Sequence, residues 1–204
     1  MSSVTRWTVL VPLRALPNAK SRLAESVAPE LHGDLVEAIR ADTLEAVHAT
    51  PAVARVVVIG DAPGAGITLV QTSAGLNGAL RDGATFAAEQ WPDDGIAALV
   101  GDLPALRADE LDAALRTAAA HESAFVPDAP GTGTTLLAAT PGTVLDPRFG
   151  TGSAARHASI ATQVEAGAGL RTDVDTADDL AAAALVGLGP RTRALLGSDG
   201  TVRR

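Results

Sequence analysis

Short apolar runs rich in Val, Ile, Leu and Ala alternate with segments of helical periodicity, and this alternation constrains the fold more than any other feature. The apolar runs cover residues 7–12, 53–59, 67–71, 96–100, 124–126 and 134–139. Apolar residues at helical spacing mark residues 29–50, 77–90, 109–120, 152–161 and 177–186. Strands that alternate with helices pack as a mainly parallel sheet covered by helices on both faces. The sequence therefore predicts a doubly wound α/β fold.

The ends of the predicted strands indicate where a ligand would bind. Open α/β sheets bind ligands at the carboxyl ends of their strands, around the point where the strand order reverses. This rule selects the loops after Pro12, Ile59 and Val100. It also selects the loop after Val174, where the segment 170–174 leads into Asp175 and Thr176. The chain shows no internal repeat and no linker, so we predict a single domain over residues 1–204.

Composition and charge exclude several classes of protein. Apolar residues make up 47% of the chain and aromatic residues only 2%, so we expect a core of Ala, Val and Leu. Cysteine is absent, which rules out disulfides, thiolate nucleophiles and cysteine-ligated zinc. The formal net charge of −8 argues against a nucleic-acid partner, because phosphate backbones favour a basic protein surface.

Neither a membrane-spanning segment nor a targeting segment is evident in the sequence. No apolar stretch approaches the ~20 residues needed to cross a bilayer. Residues 1–6 do not carry the apolar region of a signal peptide. We therefore expect a cytoplasmic protein with no membrane partner.

The loop after the first predicted strand carries two cations that could bind phosphate. Residues 13–23 have the sequence LRALPNAKSRL, which places Lys20 and Arg22 near the start of the next element. Cationic side chains and main-chain N–H groups at a strand end suit a polyphosphate. The loop lacks the GxxxxGK[ST] pattern of a Walker A motif. The alternative is an ordinary surface loop with solvated charges.

Two acidic motifs are candidates for holding a divalent cation. Asp102 stands in a Gly-Asp-Leu-Pro sequence directly after the apolar run 96–100. Asp173 and Asp175 share one face if their segment is extended. Mg²⁺ is typically bound by one or two carboxylates together with phosphate oxygens and water, so Asp102 and Asp175 are candidate ligands. Each of these residues could instead cap a turn or a helix.

Small polar segments could hold an anion or a nucleoside. Residues 127–135 (PDAPGTGTT) and 150–153 (GTGS) combine flexible main chain with hydroxyl groups that could bind a phosphate or carboxylate. Such segments are more often plain turns. Asn77, at the start of a predicted helix, could meet a base or ribose. The four histidines show no metal-binding spacing, and His157 is the one candidate among them because it follows the GTGS segment.

Taken in order, these motifs resemble one family. The sequences VPLRALPNAKSRL, GLNGAL, GDLPAL, FVPDAPGTGTTLL, RFGTGSAARH and LRTDVDTADDL follow one another over residues 8–196. This combination resembles the CofC/FbiD family of guanylyltransferases, which act in the biosynthesis of the deazaflavin coenzyme F-420. A wider resemblance extends to GT-A-like nucleotidyltransferases, including the molybdenum-cofactor guanylyltransferases. The resemblance implies a Rossmann-like, GT-A-like sheet.

The resemblance implies a triphosphate and metal site. Lys20 and Arg22 would bind the phosphates of GTP and act in catalysis. Asp102 would be catalytic and would hold Mg²⁺. Asp175 would be the second metal ligand, with Asp173 as the alternative for that position.

The resemblance also implies an acceptor site and a nucleoside contact. Thr135, Gly150 and Ser153 would hold a phosphorylated three-carbon acid, with Thr134 as a neighbouring alternative. Asn77 would lie near the nucleotide.

The reaction that the resemblance implies is transfer of GMP from GTP to phosphoenolpyruvate, giving enolpyruvyl-diphospho-guanosine and pyrophosphate. The alternative acceptors are 2-phospho-L-lactate and 3-phosphoglycerate. A different class of function is a non-catalytic GTP-binding regulator built on the same type of sheet. A homodimer is a further expectation.

Overall fold

The predicted apolar runs form the strands of one sheet. The computed structural model describes residues 5–13, 23, 29–60 and 67–196, so Lys20 and Arg22 lie outside the described residues. The strands are β1 (Trp7–Leu13), β2 (Val53–Gly60), β3 (Ile67–Leu69), β4 (Gly95–Leu99), β5 (Ser123–Pro127), β6 (Thr134–Ala139) and β7 (Thr162–Gln163). The helices are α1 (Pro29–His48), α2 (Gly75–Gln90), α3 (Ala108–Ala118), α4 (Ser153–Ala158), α5 (Ala168–Arg171), α6 (Ala177–Val186) and α7 (Pro190–Leu195). None of these helices is both long and apolar enough to cross a membrane.

The sheet is parallel on one side and mixed on the other. Its strand order is β3-β2-β1-β4-β6-β5-β7. β1 pairs in parallel with both β2 and β4, and β2 pairs in parallel with β3. β6 is antiparallel to both of its neighbours, whereas β5 and β7 are parallel to each other. The prediction of a mainly parallel α/β sheet is confirmed, and the strand order reverses between β1 and β4.

Alternate residues of the central strands enter two separate cores. In β1, Val9 and Val11 belong to a cluster that includes side chains of α1 and α3, whereas Leu10 belongs to a cluster that includes side chains of α2. All three side chains are fully buried. Because successive side chains of a strand point to opposite faces, one strand contributes to both cores. The prediction of helices on both faces is therefore confirmed.

The segment at residues 170–174, which we expected to end like a strand at the ligand-binding edge of the sheet, does not form a strand. Its first residues belong to the short helix α5, and glycines bring that helix close to the turn before α3. A Cβ atom at Gly169 would lie 2.2 Å from the carbonyl oxygen of Ala105. Beyond the helix, the N–H of Val174 donates to the carbonyl oxygen of Asp102 at 3.1 Å. These long-range contacts hold the segment beside the carboxyl end of β4 without making it part of the sheet.

Candidate active site at the strand-order reversal

A cavity opens at the carboxyl ends of β1, β2 and β4, where the strand order reverses. Its volume is about 320 Å³, within the range of ~300–1,000 Å³ that is typical of ligand sites. Asp102 and Asp175 lie in its wall together with Arg40 and Gln71. The rest of the wall consists of Pro12, Leu13, Val36, Ile39, Ile59, Leu76, Ala79, Val100 and Gly101. Two carboxylates that are far apart in the sequence therefore share one cavity with an apolar side.

Asp102 is held at the end of β4 by bonds on both sides of it. A Cβ atom at Gly101 would lie 2.4 Å from the Leu13 side chain, so glycine lets the chain turn close to β1. The N–H of Leu103 donates to the buried hydroxyl of Thr43 in α1, at 3.0 Å. The carbonyl of Asp102 accepts the bond from residue 174 described above. These contacts place the Asp102 side chain in the cavity wall.

Asp175 reaches the cavity because the residues after it form the helix cap. Thr176 is the N-cap of α6 and forms a capping box with Asp179. The Asp179 carboxylate also accepts a hydrogen bond from the N–H of Asp175, at 3.1 Å. The alternative interpretation of residues 175–176 as a helix cap is thus correct for Thr176, while the Asp175 side chain lines the cavity.

Asp173 adds a third carboxylate to this edge of the sheet. Burial and the nearby charge of Asp102 are the main causes that raise the pKa of Asp173 to about 7. Asp175 and Asp128 act in the same direction with smaller effects. Each of these negative charges disfavours ionisation of its neighbours. A cation bound between the carboxylates would relieve this repulsion.

The carboxylates match the donor set that a hard divalent cation requires. In the described part of the chain, no three or more His, Asp or Glu side chains are arranged to hold a metal ion by themselves. Mg²⁺ does not need such a cage, because it usually keeps water and substrate phosphates among its ligands. Asp102 and Asp175, with Asp173 beside them, therefore fit a metal that is shared with a phosphorylated ligand.

Arg171 connects the acidic segment to the Gly- and Thr-rich turn between β5 and β6. Its guanidinium donates to the carbonyl of Pro127 at 3.2 Å and to that of Asp128 at 2.9 Å. Its own carbonyl accepts from the N–H of Ala129 at 2.7 Å. The Asp128 carboxylate in turn accepts from the N–H groups of Thr132 and Gly133. The two predicted ligand-binding regions therefore form one connected structure.

Thr134, Ser153 and His157 form a buried hydrogen-bonded cluster beside this turn. The Ser153 hydroxyl donates to Thr134 Oγ1 at 3.2 Å, and Thr134 Oγ1 lies 2.8 Å from His157 Nδ1. The other ring nitrogen of His157, Nε2, accepts from the N–H of Arg148 at 3.0 Å. Ser153 and His157 are four residues apart in α4, so their side chains lie on the same face of the helix. The cluster joins the start of β6 to α4 and to the loop before it.

The other residues predicted for the acceptor and the nucleoside lie near this cluster. The carbonyl of Thr135 accepts from the N–H of Val100 at 3.0 Å, which places it beside the end of β4. The Thr135 side chain is fully buried, and its hydroxyl lies 3.5 Å from the carbonyl of Val126. Gly150 has a φ of +120°, a conformation that side chains disfavour. Direct contacts of Thr135 and Gly150 with a substrate stay predictions.

Asn77 connects the start of α2 to the loop before α4. Its amide nitrogen donates to the carbonyl of Phe149 at 3.0 Å, and its amide oxygen accepts from the N–H of Phe149 at 2.8 Å. Both polar groups of the side chain are used in this pair of bonds. Contact between Asn77 and a nucleotide stays a prediction, and the structure adds a role for Asn77 in holding the loop that contains Gly150.

Arg40 is a residue of the cavity that the sequence patterns did not reveal. It lies in the middle of α1, is 8% exposed, and lines the cavity with Val36 and Ile39. The available signal was a cation placed four residues after Val36, on the buried side of an amphipathic helix. A guanidinium in that position adds positive charge to a cavity that also contains two carboxylates.

The titration of His157 predicts a pH dependence of stability. Burial, followed by the charges of Arg156 and Arg148, lowers the pKa of His157 to about 4, against 6.5 for an ordinary histidine. Between these values the unfolded chain binds a proton that the folded chain does not. The free energy of unfolding should therefore decrease as the pH falls from about 6.5 to 4, by up to about 3 kcal/mol from this residue. Urea unfolding across this pH range measures the effect.

The control for this measurement is the variant His157→Asn. Asp173 contributes a slope of opposite sign, because its pKa is raised in the folded protein. The difference between the wild-type and variant curves cancels that contribution and isolates His157. Parallel curves for the two proteins between pH 6.5 and 4 would contradict the prediction.

Comparison with solved structures defines the class to which this fold belongs. A structure from Desulfovibrio desulfuricans G20, assigned as a nucleotide-diphospho-sugar transferase, has a TM-score of 0.68 at 17% identity, covering 86% of this chain and 85% of the other. Rv0371c from Mycobacterium tuberculosis H37Rv, solved in complex with manganese, has a TM-score of 0.52 at 18% identity, covering 87% and 96% of the two chains. The fold is that of the GT-A-like nucleotide-diphospho-sugar transferases.

Within that class, the sequence identifies the family. The chain belongs to the CofC guanylyltransferase family, described as "Guanylyl transferase CofC like", which matches residues 7–201. Phosphoenolpyruvate guanylyltransferase of Salinispora arenicola is 48% identical, over 94% of each chain. The protein of the same name from Geodermatophilus obscurus is 46% identical, over 97% of each chain. The family resemblance predicted from the motifs is thereby confirmed.

Proposed function

We propose that the protein is a Mg²⁺-dependent phosphoenolpyruvate guanylyltransferase that acts in the cytoplasm, in coenzyme F-420 biosynthesis. The observation that carries the proposal is that Asp102 and Asp175 share one cavity at the strand-order reversal of a nucleotidyltransferase fold. Relatives with the name phosphoenolpyruvate guanylyltransferase, which match nearly the whole chain, support the choice of GTP and phosphoenolpyruvate as substrates.

The proposed reaction requires no nucleophile from the protein. A phosphate oxygen of phosphoenolpyruvate attacks the α-phosphorus of GTP, and the bond between the α- and β-phosphates breaks as the new P–O bond forms. Pyrophosphate leaves with the bridging oxygen, and enolpyruvyl-diphospho-guanosine is the second product. The attacking oxygen is already anionic at neutral pH, so a general base is unnecessary. Catalysis then depends on positioning and on neutralisation of charge.

The residues that line the cavity are proposed to supply both contributions. Asp102 and Asp175 would hold Mg²⁺, with Asp173 as the alternative second ligand. When bound, the ion supplies charge neutralisation and orients the triphosphate. The apolar wall of the cavity offers a surface for the nucleoside. Lys20 and Arg22, which lie outside the described residues, are proposed to bind the GTP phosphates.

The acceptor is proposed to bind beside the turn between β5 and β6. Thr135, Gly150 and Ser153 are proposed to surround the acceptor there, and the Ser153 hydroxyl donates to Thr134. Thr134 is better placed than Thr135 to offer its hydroxyl, since Thr134 contacts Ser153 while Thr135 faces Val126. Arg171 joins this turn to the acidic segment, which supports binding of the acceptor next to the metal and the α-phosphate.

A side-by-side assay of acceptors tests the proposed function. GTP and Mg²⁺ are supplied with phosphoenolpyruvate, 2-phospho-L-lactate or 3-phosphoglycerate, and pyrophosphate release is measured together with product mass. We expect rapid pyrophosphate release with phosphoenolpyruvate and a product of the mass of enolpyruvyl-diphospho-guanosine. Chelation of the metal by EDTA should stop the reaction, and added Mg²⁺ should restore it.

The same assay identifies the alternatives. If 2-phospho-L-lactate or 3-phosphoglycerate is turned over faster than phosphoenolpyruvate, that acid is the acceptor, and the protein is still a guanylyltransferase. Binding of GTP without pyrophosphate release from any acceptor would contradict an enzymatic function and favour a nucleotide-binding regulator. Full activity in excess EDTA would contradict the proposed metal.

A further inference from the structure

The hydrogen bonds of His157 define which of its two ring nitrogens carries the proton. The N–H of Arg148 donates to Nε2 at 3.0 Å, so this nitrogen carries no proton. The neutral ring then carries its proton on Nδ1, which donates to Thr134 Oγ1 at 2.8 Å. The ring is fully buried, and its plane is set by Phe149, whose ring centroid is 5.1 Å away in an edge-on arrangement. A pKa lowered to about 4 keeps this neutral form dominant at neutral pH.

The tautomer of His157 determines what the hydroxyl of Thr134 can do. A hydroxyl oxygen has two acceptor positions and one proton to donate. At Thr134 Oγ1 the two acceptor positions are taken by His157 Nδ1–H and by the hydroxyl of Ser153. The remaining capacity of Thr134 is therefore to donate its own proton. A hydroxyl that can only donate suits an anionic oxygen and does not suit a second donor.

Thr134 is also the member of the cluster that is most accessible. It is 6% exposed, compared with 2% for Ser153 and 0% for His157. Thr134 begins β6, directly after the turn that Arg171 ties to the segment of Asp173. His157 would therefore act on a ligand only indirectly, through the hydroxyl at the start of β6.

We propose that His157 is a positioning residue for the acceptor, which fixes the Thr134 hydroxyl as a donor to an anionic oxygen of the phosphorylated acid. This inference rests on the proposed function, because it assumes that the acceptor binds beside the turn between β5 and β6. The same histidine holds the main chain at Arg148, next to the loop that Asn77 clamps at Phe149. His157 thus sets both the hydroxyl and the main chain on one side of the acceptor region.

The test uses two variants, each of which keeps one of the two hydrogen bonds of His157, either that with Thr134 or that with the N–H of Arg148. His157→Asn places a side-chain donor near the position of Nδ1 and loses the acceptor for Arg148. His157→Gln reaches the position of Nε2, can accept from Arg148, and loses the donor to Thr134. The KM for phosphoenolpyruvate should rise about tenfold in His157→Gln and by less than about threefold in His157→Asn, as expected for the loss of one well-placed hydrogen bond. The KM for GTP should stay within about twofold of wild type in both variants.

A double variant separates positioning from a general structural role. Thr134→Val removes the hydroxyl and should raise the KM for phosphoenolpyruvate about tenfold, whereas Thr134→Ser should keep the wild-type value. His157→Gln should add no further increase in the Thr134→Val background, because both changes remove the same donor. If His157→Gln does not fold, the comparison of Thr134→Val with Thr134→Ser still decides whether that hydroxyl binds the acceptor.

The outcomes distinguish failure of this inference from failure of the proposed function. The inference is overturned if wild type is active and the acceptor KM is unchanged in His157→Gln and Thr134→Val. It is also overturned if the KM for GTP rises together with the KM for phosphoenolpyruvate in these variants. Finally, it is overturned if the KM increases of His157→Gln and Thr134→Val multiply in the double variant. If wild type releases no pyrophosphate with any acceptor, the proposed function itself fails, and this inference fails with it.

Discussion

Replacement of Asp102 by Asn should lower the turnover number by about a thousandfold or more while the protein stays folded. Asn has nearly the same shape as Asp, so the bond from the N–H of Val174 to the carbonyl of residue 102 should stay in place, as should the bond from the N–H of Leu103 to Thr43. It removes the negative charge with which the proposed metal is held in the cavity. The fold should not suffer, because the charge of Asp102 opposes ionisation of Asp173 and its removal relieves that repulsion.

The measurement is the rate of pyrophosphate release at saturating GTP and phosphoenolpyruvate, over a range of Mg²⁺ concentrations. Thermal unfolding of the same samples verifies that the variant is folded. Asp109→Asn provides a matched control, since Asp109 is an exposed aspartate at the start of α3 that pairs only with the exposed Arg107 among the described residues. The control should retain turnover within about twofold of wild type. Near-normal turnover of Asp102→Asn would refute the metal site.

Replacement of Gly169 by Ala should reduce both stability and turnover. The new Cβ atom would lie 2.2 Å from the carbonyl oxygen of Ala105 and 2.4 Å from the Glu110 carboxylate. A main-chain carbonyl cannot rotate away as a side chain can, so helix α5 must move by about 1 Å to reach a normal contact. We expect the free energy of unfolding to fall by about 1–3 kcal/mol.

The expected loss of turnover in Gly169→Ala follows from the position of α5 in the chain. The helix ends at Arg171, and Asp173 and Asp175 come immediately after it. A displacement of about 1 Å near a catalytic group can lower the rate about a hundredfold. Steady-state kinetics should therefore show a lower turnover number and a higher Mg²⁺ requirement than in wild type.

Gly33→Ala is the control for this variant. Gly33 lies inside α1, and a Cβ atom there would meet nothing within 4 Å. Alanine favours a helix interior over glycine by about 0.5–1 kcal/mol, so this change should raise stability and leave turnover unaltered. Wild-type turnover in Gly169→Ala would show that the acidic segment does not depend on the close approach of α5 to Ala105.

The central strands could be predicted because their signal is local. Strand β1 was expected at residues 7–12 and β2 at residues 53–59, and both differ from the observed bounds by one residue at the carboxyl end. Strand β1 and the second half of β2 are buried on both faces, a pattern that is typical of strands at the centre of a parallel sheet. The local sequence pattern did not predict the conformation of residues 170–174, because that conformation depends on long-range contacts with Ala105 and Asp102.

The candidate site was predictable only in part. The proximity of Asp102 and Asp175 follows from the rule that ligands bind where the strand order reverses, combined with the family motifs. The same rule did not predict that Arg40 lines the cavity, because Arg40 lies in the middle of helix α1 and not in a loop at a strand end. Similarly, no sequence pattern links Thr134 to His157, since their hydrogen bond joins the start of β6 to α4.

The sequence by itself determined the class of fold, the family and the identity of the acidic residues, since these depend on the periodicity and order of local motifs. Only the tertiary structure decided which hydroxyl bonds to His157, which residues cap α6, and how Asp173 comes to have a raised pKa. The physical reason is that hydrogen-bond partners and burial are set by segments far apart in the chain. Their mutual positions are fixed only when both faces of the sheet are packed.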